Sequence, residues 1–282
     1  MLGRVGAALA GELTRDLRHR SSKEAQLLLF HTYRDMASRG IVPRFSDVGF
    51  RCYSQFEEDG ILLFVFALIG TSNRVAVEIC AGDGIECMCT NLVLNHGWRG
   101  YLFDGDKSRV ERGRAFFRRS PDTLGYPPTF THAWITAENV NGLLREGGVP
   151  RDIDLLSLDI DGMDYWVWKA IDWIRPRVVV CEAHDIIGPE DALTVPYDPS
   201  FVRTVPDYGG ASLGAMTKLA EQKGYRLVGV HRYGFNAFFV LNGLADEVLP
   251  AVTPGECLAD PLMREGRAAR WAKVRDLTWV QV

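Results

Sequence analysis

Nothing in this 282-residue chain is long and apolar enough to span a bilayer. The longest strongly apolar run, Ile61 to Ile69, falls well short of the ~20 residues that a spanning helix requires. Positive charge is not in excess either, since 32 Lys and Arg against 36 Asp and Glu give a net charge of -4. That balance argues against a nucleic-acid partner, because neutralising phosphates takes a basic surface. Internal repeats and low-complexity tracts are absent, and Met1 to Leu13 is expected to hold no cleavable signal. A zinc-type cysteine arrangement is missing too. Of the six cysteines (Cys52, Cys80, Cys87, Cys89, Cys181 and Cys257), Cys87 and Cys89 are too closely spaced for a typical clip, and no second pair supports them. They read as reduced thiols and small apolar filling, which implies a cytoplasmic protein. The dinucleotide fingerprint G-x-G-x-x-G is also lacking.

What remains is the composition of an ordinary globular protein, 47% hydrophobic and 24% charged. Its most telling stretch is Val75-Ala76-Val77-Glu78-Ile79-Cys80-Ala81-Gly82-Asp83-Gly84. An apolar run of this kind reads as a buried parallel strand. Gly82 and Gly84 then permit a sharp turn and a close approach of ligand to bare backbone. In open α/β sheets, ligands bind beyond the carboxyl ends of the strands, where this turn falls. Glu78 would repel a pyrophosphate and suits a cationic or hydroxylated ligand, such as the sulfonium nucleoside S-adenosylmethionine.

Alternating elements follow along the chain. Gly11 to Arg39 has an amphipathic helical pattern, with Leu13, Leu17 and Leu27 to Phe30 on it, and is expected to cap the core. Ser54-Gln55-Phe56-Glu57 reads as a capping box opening a helix to Ile69, with Gly70 after it. Strands are expected at Arg74–Cys80, Gly100–Phe103, Thr129–Ile135, Ile153–Leu158 and Arg177–Cys181, with a last pair at Tyr225–His231 and Asn236–Leu241. Helices are expected at Glu86–His96, Lys107–Arg119, Met163–Ile174 and Ala211–Lys223, and another runs from a Thr136 cap to Glu146. Asp106 and Asp161 are the expected caps of the Lys107 and Met163 helices. The last two strands are joined only by Arg232 to Phe235, which demands an antiparallel pair, whereas helical crossovers favour parallel strands. The pattern divides the chain into an N-terminal helical extension (residues 1–53), a main domain (54–243) and a tail packed on the core (244–282).

These segments resemble the FkbM-type family of S-adenosylmethionine-dependent methyltransferases. The matching residues are Ser54-Gln55-Phe56-Glu57-Glu58-Asp59-Gly60, Val77 to Gly84, Asn91 to Asp104 with Gly97-Trp98-Arg99-Gly100, Asp154 to Asp164, Pro176 to Glu182 and Gly210 to Val240. The resemblance implies an α/β fold with the class I methyltransferase Rossmann-like sheet, mostly parallel with an antiparallel C-terminal hairpin and flanked by helices. It also implies O-methylation of a sugar, glycoside or related natural product. One departure stands out. Cys80 occupies the position of the family's first motif glycine, which a cysteine can take at an ordinary negative φ but not without strain at a positive one.

On this reading the turn Glu78, Ala81, Gly82, Asp83 and Gly84 meets the cofactor, although Asp83 would also serve simply to stabilise a turn. Asp104, closing the second strand, is the expected acceptor for the ribose hydroxyls, and Asp106 better suits the helix cap. Gln55 gains nothing from a helix dipole, unlike Glu58 and Asp59, and so joins the cofactor candidates. Trp134 and Ile135 fall where the family's adenine pocket lies, with plain core packing as the even alternative. Trp166, Trp168 and Trp173 read as core or cap packing, with the floor of a substrate pocket as the alternative for one of them.

The acids and histidine at the ends of adjacent strands, Asp159, Asp161, Asp164, Glu182, His184 and Asp185, form the richest chemical cluster. Asp161 and Asp164 suit helix starts, but Asp159 and Glu182 end apolar strands, where a carboxylate is costly without water, a cation or a donor. Two routes stay open: His184 or Asp161 as general base, or Asp159, Asp161 and Glu182 holding Mg²⁺ beneath vicinal hydroxyls. His231 is a second histidine candidate. The expected partner is a small-molecule or glycan acceptor, and homo-oligomerisation is left open. A nicotinamide-dependent oxidoreductase is disfavoured by the missing fingerprint, and a non-catalytic scaffold by the retained Glu78, Gly82, Gly84 and Asp104.

Overall fold

The computed structural model describes residues 22–264 and 266–282. Within them the strands are β1 (Val75–Ile79), β2 (Arg99–Asp104), β3 (Thr129–His132), β4 (Asp152–Leu158), β5 (Arg175–Glu182), β6 (Leu193–Thr194), β7 (Tyr225–Val230), β8 (Asn236–Leu241) and β9 (Val280–Gln281). The helices are α1 (residues 22–38), α2 (Phe45–Val48), α3 (Glu58–Ile69), α4 (Thr90–His96), α5 (Lys107–Arg119), α6 (Val140–Glu146), α7 (Asp164–Ala170), α8 (Leu213–Gln222), α9 (Pro254–Cys257), α10 (Pro261–Arg264) and α11 (Arg267–Val274). Seven strands form one sheet in the order β3-β2-β1-β4-β5-β8-β7, and β6 pairs separately with β9. All neighbours in the large sheet are parallel except β8, which runs antiparallel to both β5 and β7. This is the expected class I methyltransferase sheet, with its antiparallel C-terminal hairpin.

The period of two along each strand explains the two core layers. Val77, Ile79, Phe103, Val179 and Phe239 pack with Val140 and Leu144 of α6, Trp168 of α7 and Met216 of α8. Ala76, Leu102, Val178, Val180 and Phe238 face the other way, onto α3, α4 and α5. Helix α3 is buried on nearly every side, because α1 covers it; Tyr33 meets Phe64 edge-on at 5.2 Å. Gln26 of α1 adds buried hydrogen bonds with Asn91 and His96 of α4. Residues 22–38 are thus helical and packed on α3, while Leu13 and Leu17 lie outside the described residues.

Several helix starts differ from the expected ones, each for an electrostatic reason. Ser54 does not form a box with Glu57. Its amide and hydroxyl, with the amides of Cys52 and Tyr53, converge on one carboxylate oxygen of Asp59 at 2.6–3.0 Å. Glu57 instead turns to the amide and guanidinium of Arg232, both at 2.8 Å. The adjacent Gly60 is equally committed, since a Cβ there would lie 2.3 Å from the Val48 carbonyl. Residues 86–89 are not helical, because the Glu78 carboxylate draws in Cys87 Sγ and the amides of Met88 and Cys89. Thr136 does not cap α6; its amide donates to Asn139, which precedes the helix. Asp161 does not cap α7 either. No side chain caps that helix; its first-turn Asp164 instead reaches back to the amides of Ile160 and Gly162 in the preceding bend, and α7 ends at Ala170, a few residues before β5 begins at Arg175. Asp106 does cap α5, accepting from the amides of Ser108 and Arg109.

The β1 entry hangs on one buried acid. Asp154 accepts from the amides of Ser72, Asn73 and Arg74 and from the Ser72 hydroxyl, with Arg177 Nε 3.4 Å away. We predict that Asp154→Ala, which strands those donors, costs on the order of 3 kcal/mol of stability by urea unfolding. Tyr126→Ala, at a side chain 94% exposed, should leave the midpoint unchanged. A loss below about 1 kcal/mol in the Asp154 variant would contradict this role.

Candidate active site

A cavity of about 920 Å³ opens at the carboxyl ends of β1, β2 and β4. Asp104 closes β2 against it, with Gly82 N donating to one carboxylate oxygen and Asp106 N to the other, both at 2.8 Å. A carboxylate held by two amides is fixed in place and keeps lone pairs for a ligand. Gly82 has φ 59 and open space where a Cβ would stand, so its backbone is bare. Trp134 and Ile135 line the wall beyond Asp104. The indole lies over Gly105, where a Cβ would meet it at 3.0 Å, and its Nε1 donates to Pro199 O at 2.8 Å. Cys80 and Met163 supply further apolar lining.

Asp159 and Asp161 reach the same cavity from the end of β4. Carboxylate oxygens of Asp159, Asp161 and Glu182 lie within 4.8 Å of one another. Burial, then the charges of Asp164 and Asp161, push the Asp159 carboxyl up to about 7. Burial raises Asp164 to about 6, and burial with the Asp159 charge raises Glu182 well above the usual carboxylate range. The counter-charge is Arg203, whose guanidinium lies 3.4 Å from both Asp161 and Glu182. Arg203 comes from the loop between β5 and α8, which also lends Tyr197, Pro199, Phe201 and Val202 to the cavity.

Other expected residues go elsewhere. Gly84 has φ 68, but a Cβ there would meet Leu102, Phe117 and Phe130 at 3.1 Å, so it serves core packing rather than ligand approach. Ala81 is buried, Asp83 binds the Ile85 amide and Arg112, and Glu78 is spent on residues 87–89. Gln55 is exposed and does not line the cavity. The main correction concerns His184. Past the end of β5 its backbone bridges to Ser212, and its Nε2 donates to Asp207 O at 2.7 Å beside Trp279, so the ring points away from the crevice. His231 is fully buried, 3.7 Å from Glu58, and also lies off the cavity.

The condition left open for Cys80 is answered by its backbone. Its φ is 63, so the position does take the left-handed backbone that favours glycine. Arg203 and Phe201 were not anticipated. The sequence held one clue, since Arg203 is the only Lys or Arg between residues 186 and 210, directly after the acid-rich strand ends.

No family model and no curated protein matches the chain. Among solved structures it is similar to magnesium protoporphyrin IX methyltransferase from Synechocystis PCC 6803 with bound SAM, at 11% identity over 66% of this chain and 78% of that one, with a TM-score of 0.42. The N-terminal domain of EvdMO1 with SAH bound shares 12% identity over 68% and 88%, at a TM-score of 0.43. Precorrin-6y C5,15-methyltransferase from Geobacter metallireducens shares 15% over 66% and 81%, at 0.38. Likenesses this distant assign no residue a role.

The raised carboxyls set a pH dependence. A carboxyl whose folded pKa exceeds its unfolded value holds its proton better when folded, so stability falls as pH climbs from about 4 through about 7. We predict that Asp159→Asn melts higher than the parent at pH 8, by roughly 1–2 kcal/mol, with the gap shrinking at pH 5. Thermal melts that show a constant gap across that range would remove Asp159 as its source.

Proposed function

We propose that this chain is an S-adenosylmethionine-dependent methyltransferase of the FkbM type that methylates a hydroxyl of a sugar, glycoside or related polyhydroxylated small molecule. One observation carries the reading: a single cavity runs from the amide-held Asp104 at the end of β2 to the proton-holding Asp159 at the end of β4. The residues fit the cofactor in kind. Asp104 suits a ribose diol, Gly82 holds that carboxylate from just outside the cavity lining, and Ile135, Met163 and the Trp134 indole suit a flat base. When bound, the cofactor supplies a methyl group already activated on a sulfonium sulfur.

The protein's own task is then alignment and proton removal. Asp159 takes the proton of the acceptor hydroxyl on its carboxylate, and its pKa near 7 suits a base at neutral pH. Phe201 and Val202 give the cavity an apolar wall, and holding donor and acceptor in line lowers the barrier. Asp159, Asp161 and Glu182 are oxygen donors of the kind Mg²⁺ takes. Arg203 already neutralises two of them, which favours a metal-independent reaction. No described helix is long and apolar enough to cross a membrane.

Calorimetric titration with S-adenosylmethionine should show binding that Asp104→Ala weakens tenfold or more. Asp159→Asn should keep that affinity yet lower turnover by roughly two to four orders of magnitude on hydroxylated sugars and glycosides screened with labelled methyl donor. Chelator should leave turnover unchanged, and His184→Ala should not reduce it as a lost base would. Absence of binding by the parent chain sinks the cofactor reading. Loss of turnover in chelator, restored by Mg²⁺, replaces Asp159 as base with a carboxylate-held metal.

A further inference from the structure

A second cavity, about 410 Å³, lies at the amino-terminal edge of the sheet, the end opposite the carboxylate crevice. Arg151 stands just before β4, Arg175 opens β5 in register with Asp152, and Lys223 follows α8; all three line this cavity. Two of the basic side chains here are held rather than free to wander. The guanidinium of Arg151 stacks on Trp173 at 4.5 Å and that of Arg145 at 4.7 Å, while the indole is anchored on Val149 O at 3.0 Å. Lys223 is half-buried and gives one proton to Ile171 O at 2.9 Å, which leaves two donors unused.

Among the described residues, the side chains of Arg145, Arg151 and Arg175 make no ion pair and donate no hydrogen bond. Asp152 and Asp172 line the same cavity but accept from none of them. Three cations therefore line the cavity against two carboxylates, with Arg145 behind Trp173, a local excess of positive charge in a chain whose net charge is -4. Unused guanidinium forks match the paired oxygens of a phosphate. A phosphate also carries a P–OH that a rim carboxylate can accept, which a simple halide lacks.

We propose that this cavity is a phosphate-binding site, formed by Arg151, Arg175 and Lys223, for inorganic phosphate or the phosphoryl group of a small phosphorylated metabolite. The site is separate from the methyl-transfer cavity and does not rest on that reading. Thermal unfolding of the full chain in 10 mM inorganic phosphate should shift upward by about 2–4 °C relative to sodium chloride at matched ionic strength. The double variant Arg151→Gln/Arg175→Gln changes two exposed side chains, and circular dichroism checks its fold. It should lose at least half of that shift while S-adenosylmethionine titration stays as in the parent. Should the double variant fold poorly, Arg151→Gln alone serves, with a smaller loss. Glucose 6-phosphate separates the sources: a shift at least as large as that of free phosphate favours an esterified ligand, a smaller one the free ion. An equal shift in chloride, or one undiminished in the variants, overturns the proposal.

Discussion

Asp159, Asp161, Asp164 and Glu182 crowd around the ends of β4 and β5, and among the described residues the guanidinium paired with them is that of Arg203. Like charges this close cannot all ionise cheaply in a partly dry crevice, so part of the group keeps its protons into the neutral range. Much else follows from that crowding. Asp164 is stabilised by the amides of Ile160 and Gly162, which fixes the bend after β4. The loop carrying Arg203 is drawn over the crevice, and that loop in turn sets the far wall of the cavity. Replacing the acids by apolar residues would stabilise the domain and erase the site, the usual sign that a costly arrangement is there for use.

Backbone strain sits in the same place. Cys80 and Asp161, at the ends of the adjacent strands β1 and β4, both have positive φ, 63 and 55. Each costs about 1–2 kcal/mol for a residue with a Cβ. Both line the cavity, and Gly162 next door lets the Phe201 ring pack where a side chain would stand. The floor of the crevice is thus held in shape by packing around it rather than by local preference.

The positions of the seven large-sheet strands and the antiparallel hairpin were legible in the sequence, because burial on both faces of a sheet writes itself as apolar runs and a four-residue joint admits one geometry. Asp106 as a cap and Asp104 as a cavity residue were legible too, since each depends only on position at an element's end. Ser54 and Asp161 misled because a nearby buried acid gathers the loop amides instead, as Asp59 and Asp164 show, and the Thr136 amide is taken by Asn139. His184 misled for a different reason. Its chain position is at the crevice, but side-chain direction past a strand end depends on a bridge to Ser212 that no local pattern encodes. Arg203 lies about 20 residues beyond its carboxylate partner Glu182, and only the folded loop brings them together.

That loop is braced from outside by the far C-terminal part of the chain. Arg270 forks between Asp185 and Asp207 at 2.9 Å, Tyr208 donates to Thr278 O, and β9 pairs with β6. During synthesis the last strand of the large sheet, ending at Leu241, leaves the ribosome well before Val280 does. At about 5–20 residues per second, the interval is roughly 2–8 seconds. Through that interval the nascent sheet has its acidic strand ends in place while the loop that covers them lacks its brace. The newborn domain therefore meets the surrounding solution with an open, anionic mouth, accessible to any cation or chaperone before the finished wall closes over it.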